Sequence, residues 1–332
     1  MTDSEARLPV TLLSGFLGSG KTTLLNRLLS GEAGNGIAVL VNEFGDVGVD
    51  GGLVLAAEED VVELTTGCIC CTVRGDLVDA IHGLLDRRER GALVFERLVI
   101  EGSGLASPGP ILQTFHLDDR LARSCRPPVV VTLANGVEIE LQVADHREAE
   151  EQLAYADRLV LSHADRLGAE EREARRAWLL RRQPRADLRV AERGQLDPAW
   201  VLAPAGEPEA EQRSDGRSED KQHGASDHHD HGHSSDVDSV VLESDAPLDL
   251  HRLKMWLRFI ASQRDRDLFR MKGWVHCSER PEPVLIQAVY QYLELGPGEG
   301  RAPDKSRLVL IGRGLDRAEL QRGWEAVGGR SA

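Results

Sequence analysis

The stretch GFLGSGKT, residues 15–22, decides how this chain is read. It fits G-x-x-x-x-G-K-[ST], with Gly15, Gly20, Lys21 and Thr22 at the fixed places. Glycines let backbone N–H groups converge on phosphate oxygens without a Cβ in the way. Lys21 supplies a point charge for the β- and γ-phosphates, and Thr22 an oxygen for Mg²⁺. Gly18, Ser19 and Thr23 complete the expected nucleotide contacts. Just before this stretch, VTLL at residues 10–13 predicts a buried strand. Residues 22–30 predict a helix, whose positive N-terminal end favours anions.

Outward from the cradle, short apolar runs recur at residues 37–41, 61–64, 98–100, 129–133 and 159–161. Unbroken apolar runs of this length suit parallel strands covered on both faces. Helical stretches separate them; in one, Leu77, Ile81, Leu84 and Leu85 precede a stop at Gly91. The expected fold class is therefore α/β, a doubly wound, mostly parallel sheet of the P-loop NTPase type, with a smaller α+β domain behind it. Glu101, after the strand at residues 98–100 and followed by GSG, is the candidate Mg²⁺ and water-side carboxylate; a solvated loop charge is the alternative. Segment 42–50, NEFGDVGVD, places Glu43 and Asp50 in a candidate switch that senses the γ-phosphate, or in a plain turn-rich loop.

Composition limits the partners. The chain has 332 residues and a formal net charge of −15, which disfavours nucleic acid and anionic membrane. Aromatic content is 4%, so the core is expected to be aliphatic. The polar start and the lack of a long apolar run predict a cytoplasmic protein with no spanning helix. Residues 204–236 contain no Val, Ile, Leu, Met, Phe, Tyr or Trp. Residues 206–238 hold ten Asp/Glu against three Lys/Arg, so they read as a disordered acidic linker. The expected organisation is a nucleotide-binding domain at 1–203, the linker at 204–238 and an α+β domain at 239–332. In the last, strands are expected at residues 240–242, 269–276, 284–293 and 307–311, and helices at 250–260 and 316–327.

Three of the five cysteines, Cys68, Cys70 and Cys71, lie in GCICC. Thiolates so close together suit Zn²⁺ or another borderline metal, with a fourth position left open for transfer. A redox-sensing thiol group and inert buried cysteines are the alternatives. The linker adds His223, His228, His229, His231 and His233 among aspartates, an auxiliary site for loose metal binding or simply a polar tract.

Together, LSGFLGSGKTTLLN, VNEFGDVGVD, ELTTGCICCTVRGDL, LVIEGSGLASP, ADRLVLSHAD, FRMKGW and RLVLIGR resemble the CobW-like GTPases, metallochaperones and activators of metalloenzymes. The resemblance spans nearly the whole chain. It implies a GTPase that binds GTP with Mg²⁺ and delivers Zn²⁺ or Co²⁺ as cargo to a client metalloprotein. It assigns Lys21, Thr22 and Glu101 to the reaction and the three cysteines to cargo. A metal buffer without a client, an activator of one enzyme of nitrile hydratase type, and cobalt insertion in cobalamin synthesis share the same motifs. Three positions depart from the family pattern. The guanine-reading segment, usually Asn or Thr, Lys, any residue, Asp, is here Ser162-His163-Ala164-Asp165. Asp165 keeps the acceptor for the guanine edge, while His163 replaces the lysine. Asn135 stands where an Asp is common, and Thr66 where an Asn is usual. Arg270, Lys272 and Gly273 mark the C-terminal domain and suit a contact to the nucleotide domain, to a client, or to the domain's own fold.

Overall fold

All five residues of the first strand, β1 (Val10–Ser14), are buried, and the glycine-rich turn leads from it into α1 (Lys21–Ser30). A computed structural model describes residues 7–31, 36–41, 61–63, 73–184, 186–191, 194–203, 237–264, 267–297 and 305–328. The chain continues through β2 (Ile37–Val41), β3 (Val61–Glu63), α2 (Val73–Glu89), β4 (Arg97–Glu101), α3 (Pro108–Leu117) and α4 (Asp119–Ser124). Then come β5 (Val129–Asn135), α5 (Ile139–Asp145), α6 (Arg147–Ala154) and β6 (Arg158–Ser162). A 3₁₀ turn (Ala164–Arg166), α7 (Ala169–Arg182), β7 (Asp187–Val190) and α8 (Pro198–Leu202) complete this part. The strands form one parallel sheet in the order β3-β2-β4-β1-β5-β6-β7.

The apolar runs divide by parity, as strand geometry requires. Val10, Leu12, Ala38, Leu40, Leu98 and Ile100 point to one face, where α2 and α3 supply Leu77, Ile81, Leu112 and Phe115. Leu13, Val39, Val99, Val131 and Val160 point to the other, against Leu24, Leu25 and Leu28 of α1 and Trp200 and Val201 of α8. Two buried faces leave no polar alternation, which is why the strands read as continuous apolar runs. At the C-terminal end of α8, Arg158 donates to the Ala203 carbonyl at 2.8 Å and Arg97 to that of Leu202 at 2.8 Å. These guanidiniums satisfy carbonyls that a helix end leaves open.

The second sheet is antiparallel, in the order β11-β10-β9-β12-β8. Its elements are β8 (Val237–Ser244), α9 (Leu250–Gln263), β9 (Leu268–Val275), β10 (Val284–Val289), β11 (Tyr292–Pro297), β12 (Ser306–Arg313) and α10 (Arg317–Val327). Met271, Ile286, Leu308 and Leu310 face Leu253, Leu257, Leu320 and Trp324 of its two helices. The opposite face carries Phe269, Val289, Val309 and Ile311, which join the core of the first domain beside α3 and Tyr155. Both faces of this small sheet are therefore covered, one by its own helices and one by the nucleotide domain.

Two sequence expectations change here. The single strand expected over residues 284–293 is a hairpin: Val289 pairs with Tyr292 across a two-residue turn, and Tyr290 takes φ +53°. The usual glycine or asparagine signal is missing; in its place the Tyr290 ring packs edge-on to Tyr155 and Phe269. At the other end, β8 begins at Val237, inside the segment read as linker. Residues 204–236 lie outside the described residues.

Candidate nucleotide site

Neighbouring strands end together at the carboxyl edge of the parallel sheet. β1 ends at the glycine-rich turn, with β4 and Glu101 on one side and β5 on the other. After β1 the chain crosses to β2, beyond β4, while β5 lies on the opposite side. The cradle therefore sits where the strand order reverses, the place where open α/β sheets bind ligands.

The turn is built by close approach. Gly15 has φ +139°, and a Cβ there would sit 2.4 Å from the Leu133 carbonyl oxygen and 2.7 Å from Ser19 Oγ. Gly18 and Gly20 have φ +70° and +94°. No side chain caps α1, so its first-turn N–H groups stay directed at the cradle. Lys21 is 8% exposed, and its Nζ donates to the carbonyls of Gly15 at 2.7 Å and Phe16 at 3.1 Å. Burial holds its pKa below the ordinary lysine value, and the charge of Glu101 works against that shift. Thr22 Oγ1 donates to Glu101 Oε1 at 2.7 Å, and Glu101 is 6% exposed. Sequence reasoning proposed Thr22 and Glu101 from separate motifs, and the sheet brings them into contact. A hydroxyl and a buried carboxylate are the hard oxygen donors that Mg²⁺ takes, so these two residues fit the ion implied by the motif. When bound beside a nucleotide, the ion would neutralise charge on the phosphates.

On the far side, Ser162 ends β6 and its Oγ donates to the Ala134 carbonyl at 3.1 Å. His163 takes the left-handed conformation, φ +53°, and its Nε2 lies 3.1 Å from the Gly18 carbonyl. Because that oxygen only accepts, the ring nitrogen is the donor. Asp165 is exposed in the 3₁₀ turn that follows. Asn135 is an end-of-strand device: its Oδ1 accepts from Val137 N at 3.1 Å and its Nδ2 donates to Glu138 Oε2 at 3.2 Å. Phe16 stacks on His146 at 4.7 Å between ring centroids, a contact with no motif to announce it.

The remaining candidates, Glu43, Asp50, Cys68, Cys70, Cys71 and the linker histidines His223, His228, His229, His231 and His233, lie outside the described residues, as does Thr66. Among the described residues no cluster of three or more His, Cys, Asp or Glu side chains could hold a metal ion. Cys125 and Cys277 are buried singly, and burial pushes their thiols up to about 12 and about 11. No helix among the described residues is long and apolar enough to cross a membrane.

Outside the site, Arg270 and Lys272 make the contact to the nucleotide domain that the sequence offered as one alternative, but their partner went unforeseen. Asp157, one residue before β6, accepts from Arg270 Nη2 at 2.8 and 2.9 Å, from Lys272 Nζ at 2.7 Å and from Val130 N at 3.0 Å. Arg270 Nη1 also donates to the Tyr155 carbonyl. Burial alone would raise the Asp157 carboxyl, but the two cations outweigh it and hold it well below the ordinary range. Arg270 and Lys272 thus join the C-terminal domain to the nucleotide domain. Gly273 serves its own sheet, since a Cβ there would lie 2.3 Å from the Arg307 carbonyl oxygen.

Comparison with known proteins places this geometry in a family. Residues 9–189 match the CobW/HypB/UreG nucleotide-binding domain, and residues 237–328 the C-terminal domain of the cobalamin synthesis protein cobW. The zinc chaperone YjiA of Escherichia coli K12 is 33% identical over 95% of this chain and 96% of its own. The zinc chaperone CobW of a Sinorhizobium species is 31% identical over 93% and 94%. The crystal structure of Zn(II)-bound YjiA GTPase from E. coli superimposes with a TM-score of 0.70 at 28% identity, covering 97% of this chain and 99% of that one. With its glycine-rich cradle, its Thr22–Glu101 pair and both domains matched, the chain belongs to the CobW/HypB/UreG family of P-loop GTPases.

Proposed function

We propose that this GTPase carries zinc in the cytoplasm and delivers it to a client metalloprotein, with nucleotide turnover controlling release. The observation that carries the reading is the span of the likeness to proteins named zinc chaperones, 93–95% of the chain. The placement of the thiolate run supports it. β3 ends at Glu63 on the carboxyl edge that carries the cradle, and Glu63 pairs with Val41, which pairs with Glu101. The GCICC run lies between that strand end and the start of α2 at Val73. Cys68, Cys70 and Cys71 are the cargo ligands in this reading. Glu43 and Asp50, between β2 and β3, sense the γ-phosphate, and the five linker histidines are auxiliary binders. Asp165 reads the guanine edge. Hydrolysis changes the geometry offered to the metal, and linkage requires that metal alter nucleotide affinity by the same factor. Zinc is preferred to cobalt because the relatives are named for it.

GTP turnover and zinc affinity of the full chain test the proposal, alongside a Cys68→Ser/Cys70→Ser/Cys71→Ser variant. Zinc is expected to bind tightly and change turnover in the native chain, and the variant to lose that response while keeping basal hydrolysis. A native chain that ignores zinc sinks the proposal. Tight cobalt binding with a turnover response to cobalt alone would reassign the cargo.

A further inference from the structure

We infer that His163 is a positioning residue for base recognition: its ring ties the turn that carries Asp165 to the phosphate loop. The inference rests on the reading of Asp165 as the guanine contact. That turn is moored at several points. Ser162 is held to β5 through the Ala134 carbonyl, and Gly136 N donates to the Ser162 carbonyl at 2.9 Å. The carbonyl of His163 accepts from Arg166 N at 3.0 Å, and that of Ala164 from Arg172 Nη2 at 3.0 Å. These bonds close the turn on itself or fix it to the end of β5 or to α7. Among the contacts of the described residues, only the ring of His163 reaches from this turn to the phosphate side, where Nε2 donates to the Gly18 carbonyl at 3.1 Å. A Cβ on Gly20 would lie 4.0 Å from the same nitrogen, so the ring rests over the loop that holds the phosphates.

The consequence is geometric. A carboxylate reading guanine accepts from N1–H and from the exocyclic N2 amine, and it must keep a fixed distance from the phosphates to meet both. Two groups of one covalently linked ligand are read by two separate loops. The bond from His163 to Gly18 sets the spacing between those loops. Because His163 has φ +53°, the backbone brings its ring back over the loop from the end of β6. Loss of the bond leaves the phosphate contacts and the Thr22–Glu101 pair in place and loosens only the base side. The reaction rate at saturation is therefore preserved better than the affinity.

The experiment compares GTP with inosine triphosphate, which lacks the exocyclic amine, in the full-length chain. His163→Asn keeps a residue that tolerates positive φ but is too short to reach Gly18. It should raise KM for GTP about fivefold, the worth of one neutral hydrogen bond, with kcat changed less than about twofold. The preference for GTP over inosine triphosphate in kcat/KM should fall about threefold. His163→Lys restores a donor of sufficient reach and should recover most of both losses. An unchanged KM and preference in His163→Asn, or equal losses in the two variants, would overturn the inference. Asp165→Ala separates it from the reading beneath it. If that variant keeps the full preference for GTP, Asp165 does not read the base; if it loses the preference while His163→Asn does not, only the positioning role fails.

Discussion

Gly15 and Gly18 sit three residues apart in one loop and differ in what a methyl group would meet. At Gly15 a Cβ would run into the Leu133 carbonyl oxygen at 2.4 Å, a backbone atom of the neighbouring strand that cannot step aside. At Gly18 the space is open, and only the positive φ resists substitution. Gly15→Ala is expected to cost about 2–4 kcal/mol of stability and to lower kcat/KM for GTP more than tenfold. Gly18→Ala should cost about 1–2 kcal/mol, the penalty of a left-handed alanine alone. Denaturant unfolding and steady-state kinetics on both variants check the contrast; equal effects would mean that the approach to Leu133 is not what requires glycine. The cradle was legible in the sequence because its fixed positions lie within eight consecutive residues. The Thr22–Glu101 pair, 79 residues apart, was legible only as two separate guesses. Of the latch, Arg270 and Lys272 were legible as one alternative for a contact to the nucleotide domain, while Asp157 was not, since a lone aspartate before a strand carries no pattern and its partners lie 113 and 115 residues away.

At the level of elements, that latch joins β9 to the region where β5 and β6 begin. Asp157 and Arg270 are 10% and 11% exposed at the side chain, and Lys272 is 31% exposed. Removing one partner from a buried ion group leaves the remaining charges uncompensated, which costs about 3–5 kcal/mol. Asp157→Asn is expected at the lower end, about 3 kcal/mol, because Lys272 keeps partial access to solvent. The pH dependence has a fixed sign. The Asp157 carboxyl is held below its ordinary value in the folded chain, so its contribution is complete above the ordinary carboxylate range near pH 4. It is lost as pH falls below that range through the depressed value. Native protein should therefore lose stability on acidification more steeply than Asp157→Asn, measured as denaturant midpoints from pH 6 down to pH 3. Parallel curves would exclude the latch as the cause. The hairpin of β10 and β11 adds a second link, with His116 of α3 3.6 Å from Glu294. Arg313 adds a third, 3.5 Å from Glu151 and stacked 5.1 Å over Phe269.

Across the whole molecule, the two sheets share one core. Phe269, Val289, Val309 and Ile311 pack with Ile111, Leu112 and Phe115 of α3, and each apolar side chain so buried contributes about 1.5–3 kcal/mol. A fragment ending at residue 203 would expose that face of α3 together with the unpaired Asp157. It is expected to be less stable than the full chain and to self-associate, as read by light scattering and sedimentation. A monomeric fragment as stable as the intact chain would show that the nucleotide domain does not need its partner. Arg270 and Lys272 thus tie the C-terminal domain to the domain that carries the cradle.

By itself the sequence determined the doubly wound sheet, the cradle and the runs that become β1 to β6. Those follow from local rules: parity along strands, helical spacing, and the glycines a phosphate turn demands. The tertiary structure alone decided which distant charges meet, that His163 touches Gly18, that Tyr290 and Gln291 turn a hairpin without glycine, and that the C-terminal sheet closes the core of the first domain. Such contacts depend on packing between segments far apart in the chain, and pairwise long-range geometry leaves no periodic trace in a single sequence.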